Sequence, residues 1–325
     1  MNFFKRIVFM ITLFSAKLLT AEVVHEAGEH VAKKKPPTFF SFLLQPKFIV
    51  MIVIGLVVLF LLKNNKMKSW IKVTLLLIST FLFGFAGNIP ADLFHSFAMH
   101  PSPMCAATKP LLYGFGIPFI VTLFVIFLMT LIGPKLFCGY VCPVGAAQEL
   151  IAMLSDKLNI KRFRTNFRIA NAVRLLVFLL FIFISATAIL NILYKGQVFP
   201  KSFYDFINPF HGLEFEIEKS ILGYITHYVP FLLTVILSFK YYRPFCHFVC
   251  PIGLYTHLIE QVSLFRIRLN KDKCTDCNIC VNESPCTAVP SILKGAELRP
   301  DCYTCNVCIE VCPEDALDIG IKRLK

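Results

Sequence analysis

Cys274, Cys277 and Cys280 stand with two residues between neighbours, and Cys286 follows after five more. Cys302, Cys305 and Cys308 repeat that run, and Cys312 follows after three more residues with Pro313 behind it. Three thiolates on so short a loop can converge on one polynuclear centre, while the distant fourth Cys reaches the other centre. The turning backbone between them can also aim N–H groups at bridging sulfides. Two C-x-x-C pairs would suit a tetrahedral zinc site as well. Zinc, however, leaves the third Cys of each run without a role. The runs therefore predict two [4Fe–4S] clusters, one on Cys274, Cys277, Cys280 and Cys312, the other on Cys302, Cys305, Cys308 and Cys286. About eight iron and eight acid-labile sulfides per chain follow from that pair. The first run departs from the pattern: five residues separate Cys280 from Cys286 where three are usual, and Thr287 stands where Pro would. Cys286 is the least constrained of the eight.

A second cysteine pattern occurs twice. Phe137-Cys138-Gly-Tyr-Val-Cys142-Pro143-Val-Gly145 returns as Phe245-Cys246-His-Phe-Val-Cys250-Pro251-Ile-Gly253. Upstream, Pro118-Phe119 and Thr122 correspond to Pro230-Phe231 and Thr234, and a basic stretch follows each copy, at 161–168 and 266–273. Both copies run the same way, so they are parallel repeats. Residues four apart share a helix face, which lets the two sulfurs of a copy address one spot. Pro143 and Pro251 suit first helical turns, so the preceding apolar segments should end near Phe137 and Phe245. Thiolates at a helix N-terminus gain from its dipole, which would lower their pKa. Small buried hydrophobes in tight turns are the bland alternative; duplication favours a redox or quinol site at Cys138, Cys142, Cys246 and Cys250. Whether these sulfurs bind a further metal, form a dithiol/disulfide couple or shape a quinol pocket is not written in the spacing.

These elements must sit in a bilayer. Of 325 residues, 56% are hydrophobic and only 16% charged, with 34 Phe, against about 25% charged in ordinary soluble domains. Apolar runs lie at 48–62, 71–87, 111–132, 172–194 and 221–239, near the length a bilayer asks for once flanks are counted. A sixth, at 7–19 behind Lys5 and Arg6, reads as a signal peptide or N-terminal anchor. The expected fold is an α-helical integral membrane protein of about five transmembrane helices, built from a duplicated helical hairpin, with a C-terminal α+β double-cluster domain. The expected divisions are 1–21 for the leader or anchor, 22–47 for an extracytoplasmic segment and 48–239 for the membrane domain. A second motif with an interfacial helix follows at 240–270, and the cluster domain at 271–325. Most Lys and Arg flank one side of the predicted spans, with Lys33, Lys34 and Lys35 as exceptions, which places the cluster domain in the cytoplasm. The net charge of +13 is thus a topology and anionic-lipid signal, and nucleic acid is not an expected partner. All 13 cysteines but Cys105 fall on the reducing side, which excludes a disulfide framework.

A double-cluster ferredoxin behind membrane helices with paired C-x-x-x-C-P motifs resembles the membrane polyferredoxins, over about residues 70–325. That superfamily includes the NapH-type quinol dehydrogenase subunit of periplasmic nitrate reduction, the NosR-type nitrous oxide reduction protein and the copper reductase of cytochrome oxidase assembly. The layout is most like the NapH type. The resemblance implies a multi-pass protein of the bacterial inner membrane that passes electrons between the quinone pool and a redox partner. That partner would be a periplasmic reductase, a cytochrome or a cytoplasmic ferredoxin-type donor. A second reading is a metal reductase or assembly factor, for example one that reduces copper for a respiratory enzyme.

Other residues could carry chemistry. The loop around Asp92 holds His95, Met99, His100, Met104 and Cys105, soft and imidazole ligands that suit copper or haem; the bland alternative is packing over the helices. His227 lies inside an apolar segment, where an ionisable residue is a functional candidate, for instance as a donor to a quinone carbonyl. Asp205, His211, Glu214, Glu216 and Glu218 read as a solvated loop.

Overall fold

The computed structural model describes residues 38–321, apart from 90–93, 95, 100, 109, 111–115, 194–206, 211–212, 214–220 and 297–298. The segment at 7–19, the three lysines at 33–35, His95, His100, His211 and the acidic residues near it lie outside the described residues, and so does the side chain of His227.

After a short helix α1 (Phe39–Leu43), α2 (Pro46–Lys63) begins at Pro46, whose fixed φ suits a first turn. It stops at Asn64 and Asn65, the latter left-handed with φ 52°. Helix α3 (Ser69–Thr80) loosens into a wide turn at Phe81–Phe85 and a tight one at Ala86–Asn88. A short α4 (Pro103–Thr108) leads to α5 (Ile117–Ile132). The first C-x-x-x-C-P motif then opens α6 (Pro143–Lys157), and α7 runs from Phe167 to Leu193. Helix α8 (Ile221–Ser238) repeats α5 in detail. The Thr122 hydroxyl donates to the Pro118 carbonyl at 2.8 Å, and Thr234 donates to Pro230 at 2.8 Å. The second motif lies on α9 (Pro244–Phe248) and opens α10 (Pro251–Ile259).

The C-terminal module is closed by an antiparallel pair, β1 (Phe265–Leu269) with β2 (Leu317–Ile321), in register Ile267↔Ile319 and Leu269↔Leu317. Between the strands lie α11 (Ile279–Glu283), α12 (Val289–Leu293) and α13 (Val307–Glu310). The module thus starts at β1, inside the 240–270 stretch expected to end in an interfacial helix. Ile267 and Arg266 are both buried in β1, while Phe265, Arg268 and Leu269 are half-buried.

The apolar segments also end earlier than expected. Helix α5 stops at Ile132 and α8 at Ser238, before Phe137 and Phe245, because Gly133-Pro134 and a turn at Phe239–Lys240 intervene. Among the described residues α2 alone is long and apolar enough to cross a membrane by length and composition; Ser69–Phe85, Ile117–Ile132 and Tyr228–Ser238 are shorter apolar helices.

Helix α2 buries Phe48, Met51, Ile54, Val58 and Leu62 at three- and four-residue spacing. Its opposite face is apolar too: Val53, Leu56 and Phe60 are 50–62% exposed. The same holds for Leu176 and Phe183 on α7 and for Leu232 and Ile236 on α8. Truncating the buried face should therefore cost far more than truncating the outer one. Ile54→Ala is expected to destabilise by about 2–5 kcal/mol in detergent. Val53→Ala, its half-exposed neighbour, should stay within roughly 0.5 kcal/mol of the parent; thermal unfolding of the two variants measures the contrast.

Candidate redox site between the helices and the ferredoxin module

The two cysteine runs of the module fold alike. Asp276 and Thr304, each just before the middle Cys, are left-handed (φ 53° and 55°), and so are Asn278 and Asn306 just after it (φ 59° and 69°). Asn tolerates this region better than most residues. Alternating hands turn successive N–H groups to the inside of the loop, the concave shape that holds anionic centres. Each run then enters a one-turn helix, α11 or α13.

The eight cysteines of the module lie in two places. Cys274, Cys277, Cys280 and Cys312 wall one cavity, and burial together with the neighbouring Cys312 raises the Cys280 pKa. Cys286 lies with Cys302, Cys305 and Cys308; its thiol donates to the Cys305 sulfur, which raises Cys286 and lowers Cys305 to about 6. The longer gap before Cys286 is taken up in part by α11, which carries the chain from Cys280 to Glu283, with the extended Ser284 as its cap. A four-thiolate centre fits each group in ligand type and number.

The groups differ in exposure. Residues 275–279 of the first run are exposed, whereas residues 301–306 of the second are all buried. What covers the second run is the mouth of the helix bundle. Gly139, between Cys138 and Cys142, lies against the Tyr303 carbonyl, and a Cβ there would come within 2.6 Å of that oxygen. The Tyr140 hydroxyl donates to Thr304 O at 3.1 Å, the Thr304 hydroxyl donates to Pro134 O, and Lys72 Nζ donates to Cys305 O at 3.0 Å. The His247 ring stacks on Tyr303 with centroids 5.5 Å apart and planes 15° apart.

Buried ion pairs hold this junction. Asp301, next to Cys302, pairs with Lys135 and with Arg174 at 3.4 Å. Burial alone would raise its carboxyl, but Lys135, His247 and Arg174 keep it well below the usual range. Glu149 on α6 accepts from Lys72 at 2.6 Å and from Arg243 Nε at 3.0 Å. Against the same burial, Lys72 and Arg243 hold it at about 2.

Cys138, Cys142, Cys246 and Cys250 are all buried and close enough to raise one another's pKa. They are not arranged as two residues on one helix face. Cys138 sits in a wide turn at Phe137–Val141, and Cys246 sits on α9. Cys142 and Cys250 are the extended residues that cap α6 and α10. The expected lowering by helix dipoles is also overturned: burial drives all four thiols up, Cys250 to about 12. Met99, Met104 and Cys105 pack in the apolar core.

The charges at the junction escaped the sequence reading, yet two left a trace. Lys135 and Arg243 each stand three residues before the first Cys of a copy, and both are buried and left-handed, with φ 49° and 48°. Extending the repeat two residues upstream would have found them.

A family described as "4Fe-4S binding domain" matches residues 115–161 and 226–271, one segment on each C-x-x-x-C-P copy. The chain is similar, over these segments, to ferredoxin-type proteins. It is 27% identical over 200 residues to the ferredoxin-type protein NapH of Haemophilus influenzae, covering 58% of this chain and 63% of that one. The putative electron transport protein YccM of Escherichia coli is 28% identical over 186 residues, 57% of this chain and 50% of that one. The methylamine utilization ferredoxin-type protein MauN of Methylorubrum extorquens is 25% identical over 215 residues, 64% and 69% of the two chains. No solved structure matches. The relatives it matches are thus named as ferredoxin-type and electron-transport proteins.

Glu149 should be decisive for the junction. Glu149→Gln leaves Lys72 and Arg243 buried without their shared carboxylate, a loss of about 3–5 kcal/mol. The folded carboxyl titrates near 2 against 4.5 for the free group. Its stabilisation is therefore complete above about pH 4.5 and is lost as the pH falls towards 2. The difference in thermal midpoint between parent and variant should stay constant from about pH 8 to 5.

Proposed function

We propose that this protein is a membrane polyferredoxin, a multi-pass protein of the bacterial inner membrane that carries electrons between the quinone pool and a redox partner through two [4Fe–4S] clusters on the cytoplasmic side. The observation that carries this reading is the contrast between the two cysteine runs, one exposed to solvent and one seated on the motif at the helix mouth. One-electron transfer is the chemistry that clusters on these thiolates would supply, at potentials set by burial and by hydrogen bonds to sulfur. Cys302, Cys305, Cys308 and Cys286 would hold the inner cluster, shielded from water by Tyr303, His247 and Tyr140. Cys274, Cys277, Cys280 and Cys312 would hold the outer one, where a soluble partner can approach. The apolar outer faces of α2, α7 and α8 support immersion in lipid, since exposed patches of that size do not belong on a soluble surface. A quinol would deliver electrons at the mouth lined by Cys138, Cys142, Cys246 and Cys250. Copper handling by the 95–105 loop has less support, because its described soft ligands pack in the core.

Two measurements test this reading. Cys274→Ser with Cys277→Ser should remove about four iron, four sulfides and one EPR signal, and Cys302→Ser with Cys305→Ser should remove a different one. The Cys142→Ser, Cys250→Ser variant in membranes should lose quinol-dependent reduction of the module while dithionite still reduces it. Normal quinol reduction in that variant would contradict the proposed entry point.

A further inference from the structure

We infer that Arg299 tunes the inner cluster, raising its reduction potential above what burial alone would allow, a role that Lys271 at the matching position of the first run does not have at the outer cluster. The inference rests on the two-cluster reading proposed above.

Arg299 stands three residues before Cys302, as Lys271 stands three before Cys274. The two cations are placed differently. Lys271 is exposed, where water and salt screen its charge. Arg299 is half-buried. Pro300 behind it favours an extended backbone, and its Nη1 donates to the Ile267 carbonyl of β1. Held there, its charge acts on Cys302 and Cys308. Burial raises the Cys302 thiol to about 12, and Arg299 pulls against that rise.

The guanidinium is also left in need of an anion. Its Nε–H is buried without a hydrogen-bond partner among the described residues, and an unmade buried donor is costly. No carboxylate pairs with it among the described residues. Burial, and the buried Arg266 beside it, hold Arg299 below the usual guanidinium range. An anionic centre on Cys302 and Cys308 relieves both faults: its sulfur would accept from the free N–H, and its charge would offset that of Arg299.

Reduction adds one negative charge to a cluster, so burial opposes it and a fixed cation favours it. The same contest is decided at this junction by Asp301 and Glu149. Burial alone would raise both carboxyls, yet neighbouring cations hold them below the usual range. At the outer cluster the sign is reversed. Asp276 Oδ1 lies 3.6 Å from Cys274 Sγ, whereas the counterpart of Asp276 in the second run, Thr304, is neutral and donates to Pro134 O. Net charge and hydrogen bonds to sulfur are what set such potentials. Arg299 thus keeps the buried cluster reducible, which a step between the helix mouth and the exposed cluster requires.

The test is a mediated redox titration of both EPR signals in the full chain, purified anaerobically in detergent. The inner signal is the one lost in Cys302→Ser with Cys305→Ser. Arg299→Gln should keep about eight iron and lower the inner cluster's affinity for its electron at least tenfold, about 59 mV for a one-electron couple. The outer midpoint should stay in place, and Lys271→Gln should move neither. Arg299→Lys keeps the charge without the Nε donor, so its inner midpoint should fall between those of the parent and Arg299→Gln. An inner midpoint unchanged in Arg299→Gln, or an equal fall at both clusters, would overturn the inference and leave the two-cluster reading standing. If Arg299→Gln loses the inner cluster, Arg299→Lys decides: an unshifted midpoint overturns the role, and a lowered one upholds it. A single EPR signal in the parent would overturn the two-cluster reading and this inference with it.

Discussion

Two carboxylates buried among four cations fix where everything else lies. Asp301 joins the second cysteine run to Lys135 and Arg174, and Glu149 ties α6 to Lys72 and Arg243. Neither carboxylate could be buried alone, because an unpaired charge costs several kcal/mol to remove from water. Each cation also reaches a backbone carbonyl: Lys72 that of Cys305, Lys135 that of Gly253, Arg174 that of Cys246 and Arg243 that of Cys138. The ion pairs therefore set the distance between the module and both repeats at once. A ferredoxin tethered only by its linker would have no such fixed geometry.

For the proposed electron path the consequence is a difference in surroundings between its two ends. Because residues 301–306 are buried and 275–279 exposed, two loops with the same left-handed backbone have different surroundings. Solvent access and hydrogen bonding tune cluster potentials, so two centres of the same type need not have the same potential. Tyr303 and His247, stacked between the mouth and the inner run, close the gap with aromatic surface.

Much of this was legible in the residues. Cysteine spacing holds three cysteines of each group on one short loop, and the fold brings the fourth from the other run, Cys312 to the first trio and Cys286 to the second despite the longer gap. The duplicated motif was equally visible, and Thr122 and Thr234 show that the likeness extends into the preceding helices. What stayed hidden depends on long-range contacts. Lys135 and Arg243 look like interfacial charges until Asp301 and Glu149, far along the chain, arrive beside them. The thiol pKa values went the wrong way for the same reason. The helix termini at Cys142 and Cys250 are real, but the burial around them comes from tertiary packing and outweighs the dipole. Strand β1 was lost among basic residues because a five-residue segment carries little periodicity.

The most direct test of the docked junction is hydrogen exchange on the anaerobic holoprotein, read separately over the two cysteine runs. Both loops hold their backbone in the same conformation, so cluster ligation alone would protect them equally. The account predicts that amides of 301–306 exchange far more slowly than those of 275–279, since opening the former requires breaking the buried ion pairs. Equal, rapid exchange in both loops would show that the module is merely tethered, and would contradict it.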